Sequence, residues 1–290
     1  MIATVKIVKD YPDTKIVEDF IGEVYSNHFD LKQEILHAKR GNSKTFGARV
    51  GAMLKVLAIT YNSTWHPNCT YVRFAYNFNL MKEDVLMQFV MFLKQEYSKP
   101  IFFLLDNRYS LLIKVLQKHE FSLIRETEIL HIYPLKSLME IDFLPNKRTV
   151  HEIKGDPKIL SSLIELTKKI YTDTHRANPV ADLSRTSWEL AIMEGMLEKN
   201  SYVIVQGFIV LAYSFLYKVN DESWELGWIG VRDMKNITEL DKLLQFQLKD
   251  AVKHGIRFIE KEADTTCPYS QHVKNSLVYS VDERFYSYLG

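Results

Sequence analysis

Hydrophobic and polar positions alternate with two different periods along the first part of the chain. Residues 4–8 alternate apolar and charged side chains, which predicts a strand. After Pro12, apolar residues recur every three to five positions and predict a helix; they are Ile16, Phe20, Val24 and Phe29. The segments 54–61 and 71–78 predict two strands of a hairpin, joined by a Pro-Asn turn.

The rest of the first half alternates helices and strands. Apolar spacing predicts a helix over 82–97, which Pro100 ends, and a buried strand over 101–105. A helix over 108–119 and a strand over 122–133 follow. The predicted order is therefore β-α-β-β-α-β-α-β.

The second half contains the most regular helical pattern of the chain, over 239–254. Its apolar residues fall on one helix face and are Leu240, Leu243, Leu244, Leu248, Ala251 and Val252. A capping box of Thr238 and Asp241 predicts the start of this helix, and Gly255 predicts its end. The elements predicted after it are a strand over 256–259, a helix after Asp264 and a closing strand over 278–289.

The two halves share a register, which indicates internal duplication. Four landmarks recur at a spacing of 158 residues: Leu86 and Leu244, Asp106 and Asp264, Phe121 and Tyr279, Ser122 and Ser280. The first helices match at a spacing of 146 residues, so the second copy carries extra residues before its hairpin. We expect an α/β (α+β) fold with two domains, over 1–140 and 141–290, each a central mixed sheet flanked by helices.

Composition and charge exclude several classes of protein. The 290 residues are 47% hydrophobic and 25% charged, enough to bury a core. A net charge of +1 argues against a nucleic-acid or anionic-membrane binder, and no apolar run reaches the ~18 residues of a membrane span. The basic stretch 39–44 is interpreted as a surface loop. Two cysteines, without metal-ligand spacing, favour a reducing, cytoplasmic compartment and predict no metal site.

The segment 222–255 has the order of an anion site. A strand over 224–231 leads through a short polar loop to the start of the long helix. Unpaired N–H groups and the positive end of the helix dipole face such a loop, and phosphate is their common ligand. Gly227 and Gly230 would also let another chain approach the strand closely.

Four short motifs of the second half occur in an order that one known superfamily shares. They are Glu225-Leu226-Gly227-Trp228-Ile229-Gly230-Val231, His254-Gly255-Ile256, Asp264-Thr265-Thr266 and Arg284-Phe285-Tyr286-Ser287-Tyr288-Leu289. On these residues the second half resembles the N-acetyltransferases of the GNAT superfamily. The first half resembles a degenerate copy, so that the resemblance covers nearly the whole chain as a tandem arrangement.

The resemblance implies direct transfer of an acetyl group from acetyl-CoA to the amine of a small molecule or peptide. In that superfamily, the strand before the helix diverges from its neighbour and pairs with the pantetheine arm. This implies cofactor contacts for Gly230 and Val231, with an N–H near Val231 polarising the thioester carbonyl. The pyrophosphate would lie on the loop and helix N-terminus, and the implied contacts there are Arg232, Lys235, Asn236 and Thr238.

Three features depart from the superfamily. The loop 232–239 contains no glycine, which makes close approach of its backbone to a phosphate harder. The tyrosine that many members use as general acid falls at Lys274, with Tyr269 and Tyr279 as nearby substitutes. The corresponding loop of the first half, 76–82, has neither glycine nor a basic cluster, and we expect no cofactor there.

The first candidate for the catalytic base is Glu225, because a carboxylate on this strand can deprotonate an ammonium directly or through water. The alternative is a solvent-facing strand residue. His175 is a second candidate base, and its alternative is a loop residue that caps the preceding helix. The candidate acceptor contacts, each of which has an ordinary loop or core role as its alternative, are Arg176, Asn178, Trp188 and Tyr217.

The sequence leaves two classes of function open. One is an acetyl-CoA-dependent N-acyltransferase. The other is a catalytically inactive module, in which both copies keep the fold and bind a ligand or partner without turnover. A third, an aminoacyl-transferase-like role, would need a basic face for tRNA, which the sequence does not provide.

Overall fold

The computed structural model describes residues 5–11, 14–39, 43–134 and 144–290. The elements of the first half are, in chain order, β1 (Val5–Val8), α1 (Thr14–Val24), α2 (Phe29–Ala38), β2 (Lys44–Val50), β3 (Met53–Asn62), β4 (Thr70–Tyr76), α3 (Glu83–Glu96), β5 (Ile101–Asp106), α4 (Ser110–Lys118) and β6 (Ser122–Ile132). Those of the second half are β7 (Lys147–Thr149), α5 (Val150–Ile153), α6 (Pro157–Thr174), α7 (Arg185–Met193), β8 (Tyr202–Gln206), β9 (Ile209–Lys218), β10 (Ser223–Val231), α8 (Ile237–Lys253), β11 (Phe258–Asp264), α9 (Pro268–Ser276) and β12 (Tyr279–Leu289).

The element order of the first half recurs in the second, as the shared register predicts. A strand, a run of helices, three strands and a long helix are followed by strand, helix and strand. The predicted hairpin is confirmed as β3 and β4, which pair antiparallel. The helix predicted after Pro12 is instead two helices, α1 and α2. Strand β2 was not predicted from the sequence, because its residues are mostly small or basic.

The chain folds into two compact units that are not its two halves. Unit 1 comprises the residues up to Glu126 together with Ala177–Ala181 and Phe285–Gly290. Unit 2 comprises Thr127–Arg176 and Asp182–Arg284. The predicted boundary between 140 and 141 lies outside the described residues.

The sheet of unit 1 is closed by the C-terminal end of the chain. Its strand order is β1-β2-β3-β4-β5 followed by the last residues of β12. Pairing with β5 is antiparallel and runs from Phe285↔Asp106 to Leu289↔Phe102. Ile101 then exchanges backbone hydrogen bonds with Gly290, at 2.7 and 3.2 Å. Among the strand pairs described in this sheet, only β4 and β5 pair parallel.

The sheet of unit 2 is closed by a strand from the first half. Its order is β7-β8-β9-β10-β11 followed by the second part of β6, which pairs antiparallel with β11 from Thr127↔Asp264 to Ile132↔Ile259. Each unit therefore takes its closing strand from a part of the chain that duplication assigns to the other. A single domain boundary, placed from the shared register of the two halves, cannot predict this exchange of closing strands.

The long helix α8 covers one face of the unit 2 sheet. Its apolar face is buried, as predicted, and its end is a glycine turn in which Gly255 has φ +71. Gly255 N–H donates to Val252 C=O and Ile256 N–H donates to Ala251 C=O, so two terminal carbonyls are satisfied. A side chain at position 255 would be strained in this conformation.

The predicted start of α8 is wrong. The helix begins at Ile237 with Asn236 at the N-cap position, so Thr238 lies inside the first turn. Asp241 instead contacts His272 of α9, at 2.6 Å between Oδ1 and Nε2. A short 3₁₀ turn over 234–236 precedes the helix and extends its N-terminal end, which a capping-box pattern does not register.

We predict that the two ends of β12 stabilise different units. Tyr288 is buried in the core of unit 1, whereas Tyr279 packs against the core of unit 2. Removing a buried aromatic ring costs about 3–5 kcal/mol, so Tyr288→Ala should speed hydrogen exchange of β5 amides. Tyr279→Ala, the matched control, should speed exchange in β10 and α8 instead. Faster exchange in unit 2 alone for Tyr288→Ala would contradict the exchange of closing strands.

Candidate active site

Strand β10 leaves its parallel neighbour partway along its length. Its pairing with β11 covers three residues and ends at Glu225↔Glu260. Beyond this point β10 stays paired with β9 as far as Val231. We call the space between residues 226–231 of β10 and residues 261–264 of β11 the β10–β11 gap.

The backbone groups of Ile229 and Val231 face this gap. Arg232 N–H donates to Leu211 C=O of β9 at 2.7 Å. Alternate residues of a strand direct their backbone groups to opposite edges, so Gly230 also faces β9. Ile229 and Val231 therefore present their N–H and C=O groups on the edge that β11 has left.

A β-bulge sets which side chains of β10 share a face. The register with β9 shifts between Leu226 and Ile229, which adds one residue to β10. Core-facing positions continue across the bulge, and they are Trp224, Leu226, Ile229 and Val231. Glu225, Trp228 and Gly230 therefore lie together on the opposite face of the strand.

Two side chains bind the carbonyl groups at the two ends of the gap. Lys261 of β11 is buried and donates from Nζ to Gly227 C=O at 2.9 Å. Tyr269 of α9 donates its hydroxyl to Val231 C=O at 3.2 Å. The edge between these contacts, at Ile229, is the part that remains open to an extended chain with its own amide groups.

Glu225 is half-buried at the point where the strands part. Burial raises the pKa of its carboxyl group, and the carboxylates of Glu262 and Glu260 raise it further, whereas Lys261 opposes them. A carboxylate with a raised pKa is a better proton acceptor near neutral pH. The position and environment of Glu225 thus suit a general base.

Tyr217 lies directly across from Glu225 on β9. Its hydroxyl donates to Ile192 C=O of α7 at 2.8 Å, which fixes the ring. A Cβ at Gly227 would lie 2.6 Å from the Tyr217 ring, so the ring occupies the space beside the glycine. Tyr217 therefore forms a rigid wall next to the carboxylate.

Gly230 allows close approach of a helix. A Cβ at this position would lie 2.4 Å from Ile170 Cδ1 of α6 and 3.3 Å from the Tyr213 ring. Packing against Ile170 and Tyr213 accounts for the glycine, and its backbone groups face β9. The predicted contact of Gly230 with a cofactor therefore does not agree with the direction of its backbone, whereas Val231 faces the gap.

An aromatic cluster covers the same face of the sheet. Tyr171 of α6 stacks on Trp228 at 4.9 Å and on His175 at 3.9 Å between ring centroids, and Trp188 of α7 meets both Tyr171 and Trp228 edge-on. Trp188 is fully buried, so its predicted role as an acceptor wall corresponds in the structure to a core position. Trp228 and Tyr171 are half-buried.

His175 occupies the C-cap position of α6. Its Nδ1 lies 2.9 Å from Tyr171 C=O and 3.1 Å from the Thr174 hydroxyl. This geometry agrees with the alternative of a capping residue, because the ring nitrogen is directed to the helix end. Glu225 is thereby favoured as the base.

The loop before α8 is engaged with itself. Asp233 accepts a hydrogen bond from Lys235 N–H at 3.1 Å and pairs with Lys235 Nζ at 3.2 Å. Asn236 N–H donates to Asp233 C=O at 2.8 Å. The Arg232 guanidinium donates to Val210 C=O at 2.8 Å and to the Ser162 hydroxyl at 2.9 Å. Three of the four residues predicted to hold a pyrophosphate, Arg232, Lys235 and Asn236, therefore already have partners within the chain.

Arg176 and Asn178 contribute little to this constellation. Arg176 is exposed and pairs with Asp173 at 3.2 Å. Asn178 belongs to unit 1, where its amide donates to the Tyr71 hydroxyl at 2.7 Å and accepts from the Cys69 thiol at 3.1 Å. These contacts lie within unit 1, whereas a substrate role of Asn178 in the second-half site stays a prediction.

Two residues of the site were not predicted in their observed roles. Lys261 lies at an inward position of the strand 258–264, between Ile259 and Ala263. A lysine among inward-facing apolar residues was the sequence signal that could have identified it. Tyr269 was considered as a proton donor, and its hydroxyl contacts Val231 C=O. Lys274, which takes the place of the superfamily's tyrosine, forms an ion pair with Glu128.

Unit 1 has a corresponding divergence that side chains fill. The parallel pairing of β4 with β5 ends at Val72↔Phe103. Two residues further, Phe74 C=O accepts hydrogen bonds from the hydroxyls of Tyr25 and Tyr109, both at 2.9 Å. These tyrosines are buried and contact each other at 2.8 Å. The strand edge is thus occupied by the protein itself.

Known structures share the fold of this chain. A GCN5-related N-acetyltransferase from Sphaerobacter thermophilus matches with a TM-score of 0.64 and 11% identity, over 99% of this chain and 95% of that one. A tandem GNAT protein from the clavulanic acid biosynthesis pathway matches with a TM-score of 0.58 and 9% identity, over 99% and 98%. A GNAT-family acetyltransferase from Colwellia psychrerythraea gives 0.50 and 12%, over 99% of both chains.

The chain therefore has the GNAT fold, which confirms the fold class and the resemblance. No family model and no curated protein sequence matches it. In the part of the chain that the structure describes, no helix is long and apolar enough to cross a membrane. The same residues contain no cluster of side chains suited to a metal ion.

We predict that Gly227→Ala is destabilising. The new methyl group would overlap the Tyr217 ring, which its hydroxyl holds in place, and overpacking of this kind costs about 1–3 kcal/mol. Gly155→Ala is the matched control, because a Cβ there meets nothing within 4 Å and the backbone is unstrained. Urea unfolding of both variants measures the difference. Equal stabilities would contradict the close contact of Tyr217 with the strand.

Proposed function

We propose that unit 2 transfers an acyl group from a thioester donor, acetyl-CoA, to the amine of a small molecule or peptide. The observation that carries the proposal is the divergence of β10 from β11 immediately beyond Glu225. It brings an unpaired strand edge and a half-buried carboxylate to one point of the fold. The GNAT fold of the chain supports the same class of reaction.

The strand edge would bind and orient the donor. Ile229 and Val231 face the β10–β11 gap with backbone groups that pair with an extended chain carrying amides, as in strand addition. An N–H on this edge, donated to the thioester carbonyl, would stabilise the negative charge that develops on its oxygen during transfer. Lys261 and Tyr269 limit the open edge at either end.

Glu225 would activate the acceptor. Its carboxylate takes one proton from the acceptor's ammonium, directly or through a water molecule. The amine nitrogen then forms a C–N bond to the acyl carbon, the C–S bond breaks, and the thiolate leaves with the electron pair of that bond. The nitrogen's second proton passes to the departing thiolate, directly or through water, which gives the amide and the free thiol. No covalent bond to the enzyme is required. Tyr217 bounds the acceptor beside Glu225.

The alternative is a module that binds a ligand without turnover. The self-engaged loop at 232–236 favours it, because most of the groups expected to hold a pyrophosphate are already paired. The retained carboxylate and the open strand edge favour the enzyme. These two functions differ in whether bound thioester is consumed.

The decisive experiment supplies the purified chain with acetyl-CoA and a panel of amines, and measures thiol release together with calorimetric binding. The panel contains polyamines, amino acids and peptides with a free N-terminus or lysine. Acceptor-dependent thiol release supports acyl transfer. Binding without release favours the non-catalytic module. No binding at millimolar acetyl-CoA contradicts acyl transfer from this donor and leaves a module for another ligand or partner.

We predict that Glu225→Gln lowers kcat by about 100-fold or more, because general base catalysis contributes at least this factor. The amide keeps the size of the side chain, so the KM for acetyl-CoA should change little. Glu222→Gln is the matched control, since Glu222 is exposed on the same segment and pairs with Arg257. Equal losses in the two variants would contradict a role for Glu225 in proton transfer.

The pH profile gives a second prediction. Because Glu225 must be deprotonated to act, kcat/KM should rise with pH through the pKa of its carboxyl group, above the ordinary value of 4.5. Glu262→Gln removes one of the charges that raise this pKa. We expect it to move the rising limb to lower pH. An unchanged profile would contradict Glu225 as the titrating base.

A further inference from the structure

Most backbone N–H groups of the loop between β10 and α8 already donate hydrogen bonds within the chain. At least four of the six N–H groups from Arg232 to Ile237 donate to acceptors of the chain, which are Leu211 C=O, the Asp233 carboxylate, Asp233 C=O and Met234 C=O. An anion at a helix N-terminus is held by N–H groups that are free to point at it. Few N–H groups of this loop therefore remain free to bind an anion.

The charged side chains of the loop are paired in the same way. Lys235 is held by Asp233, and Arg232 is directed to Val210 and Ser162. Glu239 pairs with Lys242 at 2.9 Å. From 232 to 239 two cations and two carboxylates leave no net positive charge. A pyrophosphate brought here would displace an ion pair and meet two carboxylates.

Asp233 is the residue on which this arrangement depends. One carboxylate oxygen accepts the Lys235 N–H and the other pairs with the Lys235 ammonium. These contacts, with the Lys235 N–H first, lower the pKa of the Asp233 carboxyl group. The carboxylate thus accepts the Lys235 N–H and pairs with the Lys235 ammonium, two contacts that a bound anion would otherwise use.

In the β10–β11 gap, by contrast, backbone groups are not paired with the neighbouring strand. Its edge at Ile229 and Val231 is not paired with β11, and its ends are defined by Lys261 and Tyr269. An extended arm that carries amides at strand spacing matches this edge, and among thioester donors the pantetheine arm has that chemistry.

We propose that this chain recognises its acyl donor by the pantetheine arm rather than by the nucleotide diphosphate, with Asp233 as the residue that sets this specificity. The inference rests on the proposed function and names its donor class: a pantetheine thioester, for which the diphosphate of CoA adds little affinity.

The test compares CoA with pantetheine by calorimetric titration of the full chain, and then acetyl-CoA with S-acetylpantetheine in the thiol-release assay. We expect Kd values for CoA and pantetheine within about 10-fold of each other, since an unused diphosphate contributes about one factor of ten or less. CoA binding about 100-fold or more tighter than pantetheine would overturn the inference and leave acyl transfer intact.

The variant Asp233→Asn frees Lys235 and removes the opposing charge. It should tighten CoA binding by about 10-fold, the effect of one unit charge near an anion at a solvated site, and leave pantetheine binding unchanged. Asp221→Asn is the matched control, because Asp221 forms a similar exposed pair with Lys218. Weaker CoA binding in Asp233→Asn would overturn the proposal. Failure of the folded wild-type chain to bind either compound would overturn it together with the proposed function.

Discussion

The loss of pairing between β10 and β11 beyond Glu225 is the constraint on which the rest of unit 2 depends. A buried backbone group without a partner costs about 1–3 kcal/mol, so an open strand edge must be stabilised elsewhere. Lys261 and Tyr269 satisfy one carbonyl each, at the two ends of the gap. On the other face, Gly230 lets Ile170 of α6 pack directly on the strand. Lys261 and Tyr269 therefore stabilise the two ends of the gap, Ile170 supports the strand from one face, and Glu225 lies where the gap begins.

In both units a strand leaves its parallel neighbour, but the backbone edge that this exposes has different partners in each. In unit 1, β4 also leaves β5 after three paired residues, but the hydroxyls of Tyr25 and Tyr109 converge on Phe74 C=O and fill the edge. In unit 2 the corresponding edge keeps backbone groups available at Ile229. One fold thus supports a buried aromatic core in one copy and a candidate site in the other, which is why function has to be argued from the site.

Much of this architecture follows from sequence periodicity. The order of the elements, the amphipathic face of α8 and its glycine end are local properties, and local patterns predict them. The exchange of closing strands is not local, because Tyr288 and Tyr279 belong to one strand and to different units. The same holds for Asn178, whose partners Cys69 and Tyr71 lie more than a hundred residues away. Glu225 was a candidate from its place on the strand before the long helix. Lys261 could be noticed as a lysine at an inward strand position, but its contact with Gly227 C=O depends on the neighbouring strand, which only the fold supplies.

The loop before α8 contains no glycine, and most of its N–H groups are hydrogen-bonded within the chain. A glycine-rich loop leaves its amides free because no side chain competes for them. Here Asp233 competes successfully, since its carboxylate is covalently present at high local concentration and binds both the amide and the ammonium of Lys235. An external phosphate competes with that carboxylate for the amide and ammonium of Lys235, whereas an amide-bearing arm meets the edge at Ile229 without displacing β11. Under the proposed function, donor recognition therefore depends on the geometry of the strand edge more than on charge at the helix N-terminus.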